Sequence, residues 1–245
     1  MSPNGTDRKR IALISIAIVA AIVMCTIGAA YVYDDIQTQR ERDRTEAAFR
    51  EYQAQKLAMY QEENLMYDDY EMDVAFIGDS LTDGCDIERY YPGITATNRG
   101  IGGDNTIWLE ERLDISVFDL KPKVVVLLIG GNNMDSMLTN YEDIIVKIKD
   151  NCPRTELVIC SLTSMGKDWE HKNQLAAYNN VFLHRLSAKH GCTFVDLYTP
   201  LFDETTGQIR SEYTTDGAHL THPGYEVLTG YIRPILSSLL DGWGQ

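Results

Sequence analysis

Apolar and polar positions follow three different rhythms along this chain. Residues 11–33 (IALISIAIVAAIVMCTIGAAYVY) are apolar almost throughout, and the 23 residues carry no charge. As a helix rising about 1.5 Å per residue the segment would extend roughly 34 Å, enough to cross the hydrocarbon core of a bilayer. Residues 34–71 change to a charge-rich pattern of good helix formers without Gly or Pro. Phe49, Tyr52, Leu57 and Tyr60 mark an imperfect helical stripe there, which reads as a stalk whose later part packs on a domain. From Asp73 onward, β-rich runs at 73–78, 95–98, 123–129, 156–162 and 193–197 alternate with helical stretches near 104–113, 139–151, 170–189 and 222–240. The run KVVVLLI is continuously apolar, as a strand buried on both faces must be. This alternation predicts a parallel sheet with helices on both faces, a three-layer α/β/α sandwich of the flavodoxin-like kind. The expected organisation is therefore a short terminus (1–10), a membrane anchor (11–33), a stalk (34–71) and one α/β domain (72–245).

Charge orients the anchor. Arg8, Lys9 and Arg10 precede it and Asp34 and Asp35 follow, so the positive-inside rule keeps the N-terminus in the cytoplasm and exports the rest. The expected location is the cell membrane, single-pass, with the domain extracytoplasmic. A cleaved signal peptide using Gly28, Ala29 and Ala30 is the alternative, but the apolar region exceeds the usual 7–15 residues or so of such signals. Lipidation of Cys25 is disfavoured by bulky Met24 and the apolar residues that follow. Beyond residue 33 there are 35 acidic and 19 basic residues, a surface that repels nucleic acid and anionic headgroups. No C-x-x-C pair is present, so neither a zinc ribbon nor a thioredoxin-like motif can be read. Cys152 and Cys192 each precede a strand, and would be placed to form a disulfide if those strands are neighbours.

Ligands of open α/β sheets bind beyond the carboxyl ends of the strands. Four polar or Gly-rich clusters fall at that edge: Gly78-Asp79-Ser80, Asn98 to Gly103, Gly130-Gly131-Asn132-Asn133, and Asp216-Gly217-Ala218-His219. A serine hydroxyl is a weak nucleophile that needs a neighbouring base, a task His219 can perform for Ser80. Asp216, three residues upstream, can fix the imidazole tautomer and stabilise its protonated form. Attack on an ester carbonyl creates an oxyanion that needs preorganised donors. The candidates are the N–H of Ser80, the N–H of Gly100, where the absence of a Cβ permits close approach, and the side-chain amide of Asn132.

These residues carry a family resemblance. The chain resembles the SGNH (GDSL) hydrolases over about residues 72–240, with Gly78-Asp79-Ser80-Leu81, Gly100, Gly130-x-Asn132 and Asp216-x-x-His219 as its sequence blocks. The resemblance implies esterase or lipase chemistry without a metal or other cofactor. It further implies a catalytic Ser80, His219 and Asp216, with Ser80, Gly100 and Asn132 as oxyanion donors. The third block departs from the usual Gly-Thr-Asn-Asp by having Asn133 in place of the carboxylate. This departure leaves the oxyanion Asn in place and puts the support of neighbouring loops in question.

Other readings of the same residues weigh less. Asp216, His219 and His222 could form a metal set, but that would leave Ser80, Gly100 and Asn132 without a task; His222 suits a cap on the last helix before Pro223. The Gly100–103 stretch fails the dinucleotide template, because Asn105 stands where a glycine is required. Trp108, Trp169, Tyr90 and Tyr91 are candidates to stack on a sugar, with core packing the alternative. Cys85 reads as a buried free thiol near the pocket mouth. The loops expected around Ser80 mix charges, amides and aromatics and contain no long apolar insertion to cover an acyl chain. Short-acyl esters, above all O-acetyl esters of carbohydrate or cell-envelope substrates, are the first expectation. A lysophospholipase or thioesterase is the second, and a catalytically silent surface binding or scaffold protein the rival from another class.

Overall fold

The structure, a computed structural model, describes residues 5–244. The chain divides into two compact units, one ending at Tyr52 and the other running from Gln53 onward. Helix α1 (Gly5–Asn64) begins in the first, where Ile14, Ile16, Ile18 and Ile22 are all more than half exposed. By length and composition this apolar part of the helix is a candidate membrane span.

In the second unit a five-stranded parallel sheet has the order β2-β1-β3-β4-β5. The strands are β1 (Val74–Gly78), β2 (Ala96–Gly100), β3 (Val124–Leu128), β4 (Glu156–Cys160) and β5 (Thr193–Val195). Four helices of six or more residues pack on it: α4 (Thr106–Glu111), α5 (Tyr141–Asn151), α6 (Asn173–His190) and α8 (His222–Gly242). Single turns follow β1 and β5: α2 (Ser80–Asp83) and α3 (Ile87–Tyr90) after β1, and α7 (Tyr198–Leu201) after β5. A two-stranded antiparallel hairpin, β6 (Phe202–Asp203) with β7 (Gln208–Ile209), completes the unit.

β3 shows why the sheet sits between two layers. Val125 and Leu127 join a cluster with Leu109, Tyr141, Ile144 and Leu183 of the α4, α5 and α6 side. Val124, Val126 and Leu128 join Ile87, Tyr225, Leu228 and Ile232 of the opposite side. Successive strand side chains point to opposite faces, so an uninterrupted apolar run feeds two cores at once. Each such side chain contributes roughly 1.5–3 kcal/mol by burial.

Several expectations change. β2 extends to Gly100, level with Gly78 of β1 and Leu128 of β3, so the three strands end together. β4 and β5 are neighbours, yet all five cysteines are free. The Cys152 thiol is directed to the Val117 carbonyl and that of Cys192 to the His190 carbonyl. Along the end of α1 the buried positions are Gln53, Tyr60 and Asn64, whereas Tyr52 is exposed. The stripe is polar because it covers β2, an edge strand carrying Asn98 and Arg99. Thr221, not His222, caps the last helix: its hydroxyl accepts the Gly224 N–H.

Candidate active site

The chain turns sharply where β1 ends. A Cβ at Gly78 would stand 2.1 Å from the Leu128 carbonyl oxygen, so only glycine lets β1 and β3 finish side by side. Asp79 then caps α2, its side chain accepting the Leu81 N–H at 3.1 Å and its carbonyl those of Thr82 and Asp83. Ser80 is the first residue of that helix. Its N–H is one of the donors a helix start leaves unused, and it has no hydrogen-bond partner among the described residues. Burial pushes the Asp79 carboxyl up to about 7, against the pull of the Leu81 N–H.

The loop before α8 brings a histidine to this serine. His219 Nε2 lies 3.1 Å from Ser80 Oγ, and His219 Nδ1 lies 2.7 Å from Asp216 Oδ2. Asp216 Oδ1 also accepts the N–H groups of Ala218 and His219. Partial burial pushes the Asp216 carboxyl up, but these three hydrogen bonds outweigh it and hold it well below the usual carboxylate range. The turn is fastened by Thr214, whose hydroxyl donates to the His219 carbonyl and accepts the Gly217 N–H. Gly217 has φ +97°, and a Cβ there would meet the Gly166 carbonyl at 2.0 Å. His222 turns elsewhere: its ring bonds the Tyr90 hydroxyl and Arg89, and pairs with Glu226. Among the described residues no three metal-ligating side chains converge, so Asp216, His219 and His222 form no common site.

On the other side of Ser80 the donor Asn132 is exposed, but the residues that support it are buried. Asn132 follows Gly130, which turns the chain at φ +118°, and one amide N–H donates to the Asp104 carbonyl at 2.7 Å. Asp104 in turn holds Arg112, Oδ2 to Nε 2.7 Å, with both side chains out of solvent. The same guanidinium donates to the carbonyls of Gly78 and Arg99 and to Ser116. One buried arginine therefore ties the ends of β1 and β2 to the residue that orients Asn132. Asn133, where a carboxylate is usual, accepts the Thr106 N–H and donates to its hydroxyl, linking the same loop to α4.

Gly100 does not belong to this set. Its N–H donates to Asn98 Oδ1 at 2.9 Å, and a Cβ there would lie 2.2 Å from the Asp83 nitrogen. Glycine is required for packing against α2, and no donor is left for a substrate. Two residues on, Gly102 is the one beside the serine: a Cβ on it would stand 3.9 Å from Ser80 Cβ. Gly103 has φ +85°, and its N–H has no partner among the described residues. The signal overlooked in the sequence is the Gly102-Gly103 pair itself, a turn that only glycines make easily.

Ser80, Asn132 and His219 line a cavity of about 280 Å³ together with Leu81, Leu128, Leu162, Met165, Trp169 and Lys172. Of the aromatic candidates, Trp169 alone reaches it, with the Lys172 ammonium 4.7 Å above its ring. Tyr91 packs on Phe76 in the core and Tyr90 against His222 and Tyr225. Trp108 is not among the lining residues. Much of the apolar lining comes from the ends of β3 and β4, which the composition of the loops did not reveal. Burial raises the Cys85 thiol to about 12, as for an inert cysteine.

Comparison with known proteins places the family and the fold. Residues 76–227 match the GDSL-like lipase/acylhydrolase family. A Streptococcus pneumonia structure provisionally described as a platelet activating factor is 27% identical, covering 78% of this chain and 96% of its own, with a TM-score of 0.71. A GDSL-like lipase from Bacteroides thetaiotaomicron is 22% identical over 74% of this chain and 97% of its own, with a TM-score of 0.63. An acetylxylan esterase from Geobacillus stearothermophilus is 16% identical over 69% and 95%, with a TM-score of 0.57. No curated protein sequence matches the chain.

Proposed function

Because the chain belongs to the GDSL-like lipase/acylhydrolase family and is an SGNH-type hydrolase, we propose that it is a membrane-anchored, extracytoplasmic serine esterase acting on short-acyl, chiefly O-acetyl, esters of glycans. The observation that carries the reading is the continuous relay of Ser80 Oγ, His219 and Asp216, at 3.1 and 2.7 Å, opening on a lined cavity. Ser80 Oγ attacks the ester carbonyl as its proton passes to His219 Nε2, and Asp216 stabilises the imidazolium. The oxyanion is met by the Ser80 N–H, the free N–H of the Asn132 amide and the N–H of Gly103, which takes the place first expected of Gly100. Collapse expels the alcohol, which receives the proton from His219. Water activated by the same imidazole then releases the acid and restores Ser80.

Trp169, 41% exposed at the cavity, is a platform on which a sugar ring can stack, and an acetylxylan esterase shares the fold. The apolar residues Leu128, Leu162 and Met165 favour a second reading, a lysophospholipase or thioesterase, since each buried methylene of an acyl chain adds roughly 0.8 kcal/mol. Hydrolysis rates across an ester series from acetyl to palmitoyl separate the two. A kcat/KM highest for acetyl or propionyl supports the first reading, and a preference for octanoyl or longer supports the second. Fluorophosphonate labelling of Ser80 excludes a silent scaffold. The wholly exposed apolar part of α1 supports anchoring. Protease added outside intact cells should reach the domain, and a soluble mature form beginning near Ala30 would show a signal peptide instead.

A further inference from the structure

The last turns of α1 contain no residue of the hydrolytic site, yet they reach the turn that flanks Ser80, through Tyr60 directly and through Lys56 by way of Asp83. The Lys56 ammonium pairs with Asp83 Oδ1 at 2.7 Å, and the other carboxylate oxygen of Asp83 accepts the Gly102 N–H at 2.9 Å. One helical turn further on, the buried Tyr60 hydroxyl donates to the Gly100 carbonyl at 2.7 Å. Gly102 is the residue that stands beside the Ser80 side chain.

We propose that Lys56 and Tyr60 are positioning residues of the hydrolase, holding the turn 100–103 against Ser80 from outside the sheet. The proposal rests on Ser80 as the nucleophile. The physical case is one of shared groups. Asp83 divides its two oxygens between Lys56 and Gly102, so the ammonium fixes the carboxylate that fixes the turn. Without Lys56 this carboxylate loses its ammonium partner, and the acceptor it offers Gly102 is less firmly directed. Tyr60 is itself packed in place: the buried Arg99 guanidinium lies 4.6 Å over its ring and Glu63 pairs with that guanidinium at 3.1 Å. Spaced four apart, Lys56 and Tyr60 lie on one face of the helix. Tyr60 thus has a polar partner in the turn, whose main-chain carbonyl an apolar residue could not satisfy, while Asn64 donates to the Ile115 carbonyl.

The test uses the full-length protein in detergent micelles, with 4-nitrophenyl acetate turnover, thermal midpoint and the rate of fluorophosphonate labelling as readouts. Lys56→Met should lower kcat by about tenfold with KM little changed, because a small displacement of oxyanion donors is costly in the transition state. Its midpoint should move by only a few degrees, since the pair is near the surface. Lys56→Arg should restore most of the rate, and labelling should slow in parallel with kcat. Tyr60→Phe, which removes only the hydroxyl, should lower kcat about threefold. Wild-type kcat in both Lys56→Met and Tyr60→Phe overturns the proposal, as does a lowered midpoint with kcat unchanged. Full turnover by Ser80→Ala would instead overturn the nucleophile assignment itself, so the two failures are distinguishable.

Discussion

The two sides of Ser80 are built by opposite means. On the base side, His219 and Asp216 are about half exposed and their relay is held mostly by residues within a few positions in sequence. On the oxyanion side, Asp104 and Arg112 are sealed from solvent, and Asn132 is oriented through them by contacts to the ends of β1 and β2. The difference has a chemical basis. A base must exchange protons with substrate and water, so exposure serves it. Oxyanion donors work by not reorganising, so their supports belong in the core. The base side should therefore be separable from stability, and the oxyanion side should not.

Substitutions can break this contrast. Ser80→Ala should lower ester hydrolysis by on the order of 10³-fold or more with an unchanged circular dichroism spectrum and thermal midpoint. His219→Ala should behave alike, and Asp216→Asn should lose on the order of 10²–10⁴-fold. A large loss of stability in any of these would show that the exposed loop supports the fold. His222→Ala should lose far less activity, because its ring serves Tyr90 and Arg89.

Asn132→Ala should reduce kcat by about 10²–10³-fold with KM nearly constant, as steady-state kinetics will measure. A raised KM at constant kcat would make Asn132 a ground-state binding residue. Arg112→Met should give a smaller catalytic loss, about tenfold, but a stability loss of about 3–5 kcal/mol in urea unfolding, since the buried Asp104 carboxylate loses its cationic partner. Equal stability of Arg112→Met and wild type would remove the distinction between the two sides.

The last effect, read in stability against pH, concerns Asp79. Its folded value of about 7 lies above the ordinary 3.8, so the folded state holds the proton more tightly than the unfolded chain. Its contribution to stability is full below about pH 4 and is lost as pH rises toward 7. Asp79→Asn removes that titration, so its urea midpoint should fall less than that of wild type between pH 4.5 and 7.5. Identical pH slopes would show that Asp79 ionises as freely folded as unfolded.

The outcome of reading each region follows the same division. The sheet was legible because KVVVLLI, residues 123–129, can satisfy its backbone and bury both faces only as a central strand; β1, β2 and β5 end at or beside a Gly or Asp, whereas β4 runs on into Ser161. Asp216 and His219 were legible because three residues of separation in one turn already bring carboxylate and imidazole together. Gly100 was misread for a reason the sequence does not hold. Every residue but proline carries the same N–H, and which one stays free depends on partners distant in the chain. Asn98 occupies the N–H of Gly100, Asp83 that of Gly102, and only Gly103 is left over. Likewise, composition could not tell Trp169, which lines the cavity, from Trp108, which does not, nor show that Lys56 and Tyr60 reach the turn beside Ser80. By itself the sequence determined the order of elements, the apolar segment at 11–33 and the residue types able to perform acyl transfer. Only the tertiary structure decided which main-chain donors remain unpaired and which helix holds them in place, because hydrogen-bond partnership is a property of the whole packed chain.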